Sequence, residues 1–135
     1  MKNKYNAKKV VYDDLTFDSK MELNVYKRLK EFEKDNIIYN LDRQVKFELI
    51  AKNDKYRACN YIADFVFDTA SKHFIVDVKG LVLPEFRLKQ KLFYNRYGEE
   101  IQIVKSIKDL DKLVLDPWIN KIKVLPLHHQ IKTDV

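Results

Sequence analysis

The chain predicts an α/β sandwich, two amphipathic helices packed on a small mixed sheet. Three observations carry that expectation. Apolar residues recur at helical spacing after Ser19, and they alternate at strand spacing from Leu41. In the middle, two short apolar runs are each broken by one aspartate. The predicted order is helix, three antiparallel strands, helix, strand, in a single domain over residues 1–135 with its core at 17–104. A basic arm at 1–9 precedes the core, and an extension at 105–135 follows it.

Each element has a local reason. Val10-Val11-Tyr12 and Leu15-Thr16-Phe17 flank the turn-like Asp13-Asp14 and read as a small hairpin. Ser19 to Lys34 reads as a helix, because Met21, Val25, Leu29 and Phe32 fall on one stripe. Leu41 to Ile50 alternates through Val45, Phe47 and Leu49, as a strand with one buried face does. Asn53-Asp54-Lys55 reads as a turn. The apolar runs Tyr61 to Phe67 and Phe74 to Lys79 are strands joined by a turn through Asp68 to Lys72. Pro84 and Gly98 bracket the second helix, as a favoured first position and a favoured C-terminal cap. Ile101 to Val104 reads as a short buried strand and Lys108 to Leu115 as a helix, while the stretch with Pro117, Trp118 and Pro126 shows no pattern.

Composition narrows the class. With 46% hydrophobic and 13% aromatic residues the chain is globular rather than disordered. No apolar run approaches the roughly 18 residues of a membrane span. Met1 to Tyr5 carries no apolar h-region, so a cytoplasmic protein is expected. Cys59, the single cysteine, has no internal disulfide partner and reads as core filler. The net charge of +6 suits a polyanion partner and also an ordinary lysine-rich surface. Lys2, Lys4, Lys8 and Lys9 concentrate part of it in the arm.

The chemistry is expected at the two aspartates. A turn centred between Ala70 and Ser71 sets Asp64 directly opposite Asp77, with Cβ atoms about 4.5–5.5 Å apart on one face. Like charges there repel, and a divalent cation between them turns that cost into a binding site. Lys79, two residues past Asp77, returns to the same face. A salt bridge to Lys79 is the plain structural alternative, but one lysine would then serve two buried acids. Both aspartates share strand faces with Ile62, Val66 and Ile75, which are expected to lie under a helix. Glu22 has two readings: in Ser19-Lys20-Met21-Glu22 it can complete a capping box, or it can face the sheet as a third acid.

The second helix divides into an apolar side (Phe86, Leu88, Leu92, Phe93, Tyr97) and a side carrying Arg87, Gln90, Lys91 and Tyr94, which suits a phosphate backbone. Lys89 falls among the apolar positions and either snorkels or reaches the acids. Other constellations are weak. His73, His128 and His129 lack zinc-ligand spacing with Cys59. Gly80 and Gly98 make no phosphate-cradling loop.

These residues resemble the PD-(D/E)xK nuclease superfamily, with its restriction-endonuclease-like core. Asp64 matches the first acid, Asp77 the second, Lys79 the lysine and Glu22 the helix-one acid. Ala63 stands where the motif's name has proline. Gln90-Lys91-Leu92-Phe93-Tyr94 is similar to the Gln-x-x-x-Tyr element of the RecB-type branch. Phe17 to Glu22, Tyr61 to Phe65, Asp77 to Gly80 and Arg87-Leu88-Lys89 resemble a family of small phage and prophage proteins known as uncharacterised or nuclease-like.

The resemblance implies a Mg²⁺-dependent DNA endonuclease, with Mn²⁺ as a substitute. Asp64, Asp77 and the Val78 carbonyl would hold the metal, and Lys79 would orient the attacking water. It further implies 5′-phosphate and 3′-hydroxyl products, duplex or branched DNA as substrate, a homodimer, and junction resolution in the host cytoplasm. Phosphate contacts are expected from Arg87, Lys89, Gln90, Lys91, Tyr94, Lys8 and Lys9. The alternatives are a nucleic-acid-binding module with a vestigial site and a protein-binding phage regulator on the same fold.

Overall fold

A computed structural model describes residues 8–116, so Lys2, Lys4 and the stretch from Pro117 onward lie outside the described residues. The chain divides into two compact units between Lys105 and Ser106. The first unit opens with a hairpin, β1 (Val10–Tyr12) and β2 (Leu15–Phe17). Its turn residues Asp13 and Asp14 have φ of 54° and 62°. Two successive positive φ values match the twist of paired strands, as in a type I′ turn.

Helix α1 (Lys20–Lys34) starts at Ser19, whose Oγ accepts the Glu22 N–H at 3.1 Å. Its buried stripe is Glu22, Val25, Leu29 and Phe32. Met21, expected in that stripe, is 37% exposed. The stripe is shifted because hydrogen bonds turn Glu22 toward the sheet, which leaves its neighbour outside.

The main sheet has the order β3 (Tyr39–Ile50), β4 (Cys59–Asp68), β5 (His73–Val78), β6 (Ile101–Val104). β3, β4 and β5 are antiparallel neighbours, and β6 runs parallel to β5. A parallel neighbour requires a crossover, and helix α2 (Pro84–Tyr97) supplies it, ending at Gly98 with φ 70°. The fold is therefore mixed α/β on a four-stranded mixed sheet.

Core packing differs on the two faces. Phe86 and Phe93 of α2 pack with Leu49, Tyr61, Ala63, Val66, Ile75 and Ile101. Burying a side chain such as Phe93 contributes about 1.5–3 kcal/mol. On the α1 side, Tyr26 lies 5.1 Å from Phe17 and 6.3 Å from Phe65, ring to ring. Leu88, expected on the apolar side of α2, is 57% exposed. It lies two residues from Phe86, about 200° around the helix. Lys89 and Gln90 occupy the inner flank instead. Ile62, expected under a helix, is 51% exposed, whereas Val66 and Ile75 are covered by α2.

The second unit begins with helix α3 (107–116), capped where Ser106 Oγ accepts the Asp109 N–H at 3.1 Å. No helix among the described residues is long and apolar enough to cross a membrane.

Candidate metal and active site

The β4–β5 register pairs Phe65 with Val76, Val66 with Ile75, Phe67 with Phe74 and Asp68 with His73. The paired ladder ends there, and Asp64 and Asp77 lie just beyond its last pair. Three hydrogen-bonding or charged neighbours then hold the two acids differently. Asp64 Oδ2 accepts the Val78 N–H at 2.8 Å. Asp77 Oδ1 accepts the Tyr61 hydroxyl at 2.9 Å, inside the core. Lys79 Nζ lies 2.9 Å from Asp77 Oδ2 and 4.4 Å from the centre of the Phe86 ring. That ion pair is the partner of the buried Oδ2, and it lowers the Asp77 carboxyl against the effect of burial.

Such an arrangement is expensive for ionised carboxylates. Burial pushes the Asp64 carboxyl up to about 8, with the charges of Asp77 and Glu22 adding to the rise. Burial also raises Asp77, against the charge and contact of Lys79 and the bond from Tyr61. The Tyr61 hydroxyl is held far above its ordinary value by burial first, then by Asp77. It therefore keeps its proton and donates it to Asp77.

Glu22 is drawn toward the N-terminal end of α1 and toward β3. Its Oε1 accepts the Asp18 N–H at 3.0 Å and its Oε2 accepts Gln44 Nε2 at 3.1 Å. The guanidinium of Arg43 stands 4.0 Å from Oε2. The capping function predicted for Glu22 is present, shifted by one residue from Ser19 to Asp18. It accounts for one oxygen only. Burial is the main cause that raises the Glu22 carboxyl. Among the described residues no three His, Cys, Asp or Glu side chains are gathered as a ready metal cage.

Asp18, Ser19, Glu22, Asp64, Val78, Lys79, Phe86 and Lys89 line one open cleft of about 850 Å³ between the starts of α1 and α2. Asp77 lies buried beside it, 3% exposed. Two carboxylates offer hard oxygen donors. That set suits Mg²⁺, which is commonly bound through one or two carboxylates and substrate phosphates. Asp77 Oδ2 already pairs with the Lys79 ammonium at 2.9 Å, and a carboxylate oxygen keeps a second lone pair that a metal can use.

Residues 2–111 match the family described as "Protein of unknown function (DUF1064)". The chain belongs to the DUF1064 family. No curated protein and no solved structure matches it.

In this DUF1064 chain the structure brings Glu22, Asp64, Asp77, Val78, Lys79 and Lys89 together at the cleft. Lys89 reaches it from α2, where its charge acts on Asp77. Arg87, Lys91 and Tyr94 are exposed on the outer face of α2. Gln90 is turned inward, with Nε2 3.5 Å from the Ile101 carbonyl, and accepts from Arg87 at 3.0 Å. In the arm, Lys8 is exposed, whereas Lys9 is paired with Asp18 at 2.9 Å. The sequence pattern assigns no site role to Tyr61, Arg43 or Gln44. A signal for the last two is present, since Arg43 sits at an inward position of an alternating strand, followed by a second polar residue.

Proposed function

We propose that this chain is a Mg²⁺-dependent DNA endonuclease, with a restriction-endonuclease-like core of the PD-(D/E)xK type, that hydrolyses phosphodiester bonds in branched duplex. The observation that carries the reading is the acid pair Asp64 and Asp77, one lining an open cleft and the other buried beside it, with Lys79 Nζ 2.9 Å from Asp77 Oδ2.

Asp64, Asp77 and the Val78 carbonyl would hold the metal, which supplies Lewis-acid charge opposite the scissile phosphate. The chain's own residues do the rest. The Val78 N–H and the Tyr61 hydroxyl fix the two carboxylates from behind. Lys79, half-exposed to the cleft over Phe86, can orient the attacking water and donate to the charge that develops on phosphate. Lys89 adds positive charge on the opposite wall. Arg87, Lys91 and Tyr94 offer contacts to the flanking strand from outside.

The test is a cleavage panel of linear duplex, single strand, flap and four-way junction, each with Mg²⁺, Mn²⁺ or chelator. Metal-dependent cutting that is strongest on branched duplex and absent in Asp77→Asn is the expected result. No cutting of any substrate by the wild type rejects the reading.

A further inference from the structure

β3 carries an irregularity directly across from the candidate site. Its ladder with β4 pairs Arg43 with Phe65 and then Val45 with Ala63, omitting Gln44 and Asp64 between them. Gln44 has φ 55°, a left-handed conformation that side-chain-bearing residues rarely adopt. The register is the same before and after, so the distortion inserts no extra residue into the sheet. What it changes is direction. Arg43 lies over Phe17 on the α1 side at 4.4 Å, while Val45 packs with the cluster under α2.

Phe65 and Ala63 divide in the same way on β4, the first stacking on Tyr26 and the second joining the α2 cluster. In a regular strand, residues two apart share a face and consecutive side chains point to opposite faces. Here the consecutive side chains of Arg43 and Gln44 both approach Glu22 Oε2, at 4.0 and 3.1 Å. Arg43 is itself anchored, donating from Nη2 to the Thr16 carbonyl at 2.8 Å.

We propose that Arg43 and Gln44 are positioning residues of this site, a clamp that holds the Glu22 carboxylate on the cleft wall. The clamp rests on the metal-site reading above and deepens it. Asp18 N–H and Gln44 Nε2 each use one lone pair of the two Glu22 oxygens. Each carboxylate oxygen carries two, so Glu22 keeps acceptor capacity for a water or a hydrated cation in the cleft. The left-handed turn at Gln44 is the device that lets two neighbouring residues do this. Nothing in the pairing of β3 with β4 requires it.

The decisive variant is Gln44→Gly. Glycine adopts the left-handed conformation freely, so the backbone is kept and only the amide is lost. The melting temperature should stay close to wild type. The kcat should fall about 10–100-fold with KM little changed, as for other residues that orient a metal-site ligand. The Mg²⁺ concentration that half-saturates thermal protection should rise about tenfold or more.

A double-mutant cycle supplies a readout independent of cleavage. Gln44→Glu sets two carboxylates against each other and lowers the melting temperature. Adding Glu22→Gln should restore it, but not activity. Wild-type kcat together with a wild-type Mg²⁺ response in Gln44→Gly overturns the clamp. So do additive melting-temperature effects in the cycle. If wild type itself cuts no substrate, the nuclease reading falls alone, and the cycle still decides the clamp.

Discussion

Asp64 and Asp68 stand four residues apart on β4, at opposite ends of one hairpin, and their surroundings are opposite in kind. Asp68 is at the turn end, where Asn40 Nδ2 donates to it at 2.9 Å and the His73 ring binds its other oxygen. Those bonds hold its carboxyl below the ordinary value. Asp64 has one backbone N–H, lies against two further acids, and is pushed up to about 8. The turn end is built to stabilise its acid from local donors. The cleft end sets Asp64 within reach of the charges of Asp77 and Glu22, at a cost to the fold. An arrangement that lowers stability persists where something outside the chain completes it, and the proposed function assigns that part to a cation.

The strongest way to break this comparison is to neutralise one acid at each end. Asp77→Asn should reduce DNA cleavage by more than about 10³-fold, beyond the loss of any single stabilising donor. The metal-free protein should melt no lower than wild type at pH 8, because the substitution removes charge repulsion. Asp68→Asn should leave cleavage unchanged and cost under about 1 kcal/mol, as an exposed pair does. Nicking rates and melting curves of the two proteins check both halves. Loss of cleavage in Asp68→Asn, or none in Asp77→Asn, would erase the distinction.

Lys79→Ala comes next in size. Turnover should fall about 10²–10³-fold, while the Mg²⁺ concentration that half-saturates thermal protection moves far less. A collapse of metal binding with unchanged turnover at saturating Mg²⁺ would reassign Lys79 to holding Asp77.

The two ends also predict opposite responses to pH. Asp64 rises from 3.8 to about 8 on folding, so the folded state favours its protonated form. The stability linked to it is full below 3.8 and is lost as pH rises through about 8. Asp77 and Glu22 are raised as well and act in the same direction. Asp68 is lowered, and the small stability linked to it is lost as pH falls. Metal-free protein should therefore melt lower at pH 8.5 than at pH 6. Mg²⁺ should recover more at the higher pH, where fewer protons compete for the carboxylates. Melting curves with and without Mg²⁺ at both values measure this, and an equal Mg²⁺ effect at the two would place the cation elsewhere.

Much of this was legible in the sequence, for reasons that differ by residue. The β4–β5 hairpin follows from a turn through Asp68 to Lys72 between two apolar runs, and the pairing runs from Asp68 and His73 to Phe65 and Val76. Pro84 and Gly98 mark α2 because each has a backbone property that few residues share. Glu22 and Lys89 were harder. Glu22 is buried and Lys89 half-buried, at helix positions where periodicity expects an apolar side chain, so Met21 and Leu88 took their places in the pattern. The turn at Gln44 was not legible, since no glycine or asparagine marks it. A left-handed glutamine is set by tertiary hydrogen bonds, and local propensity does not encode it.

The smallest expected effect sharpens where nucleic acid would meet the site. Lys89 and Gln90 face inward, so the outer face of α2 is left with Arg87, Lys91 and Tyr94. Lys9 is paired with Asp18 at the cleft rim. The helix should thus contribute more phosphate contacts than the arm residues Lys8 and Lys9. Each lost contact lowers the slope of log affinity against log salt by about one unit and weakens all sequences alike. Arg87→Ala with Lys91→Ala should lower it by about two units, and Lys8→Ala with Lys9→Ala by about one or less. Salt titrations of duplex binding, in Ca²⁺ or with Asp77→Asn to prevent cutting, give the three slopes. Equal slopes for wild type and the helix double variant would move the nucleic acid off α2, leaving the cleft and its acids as they are.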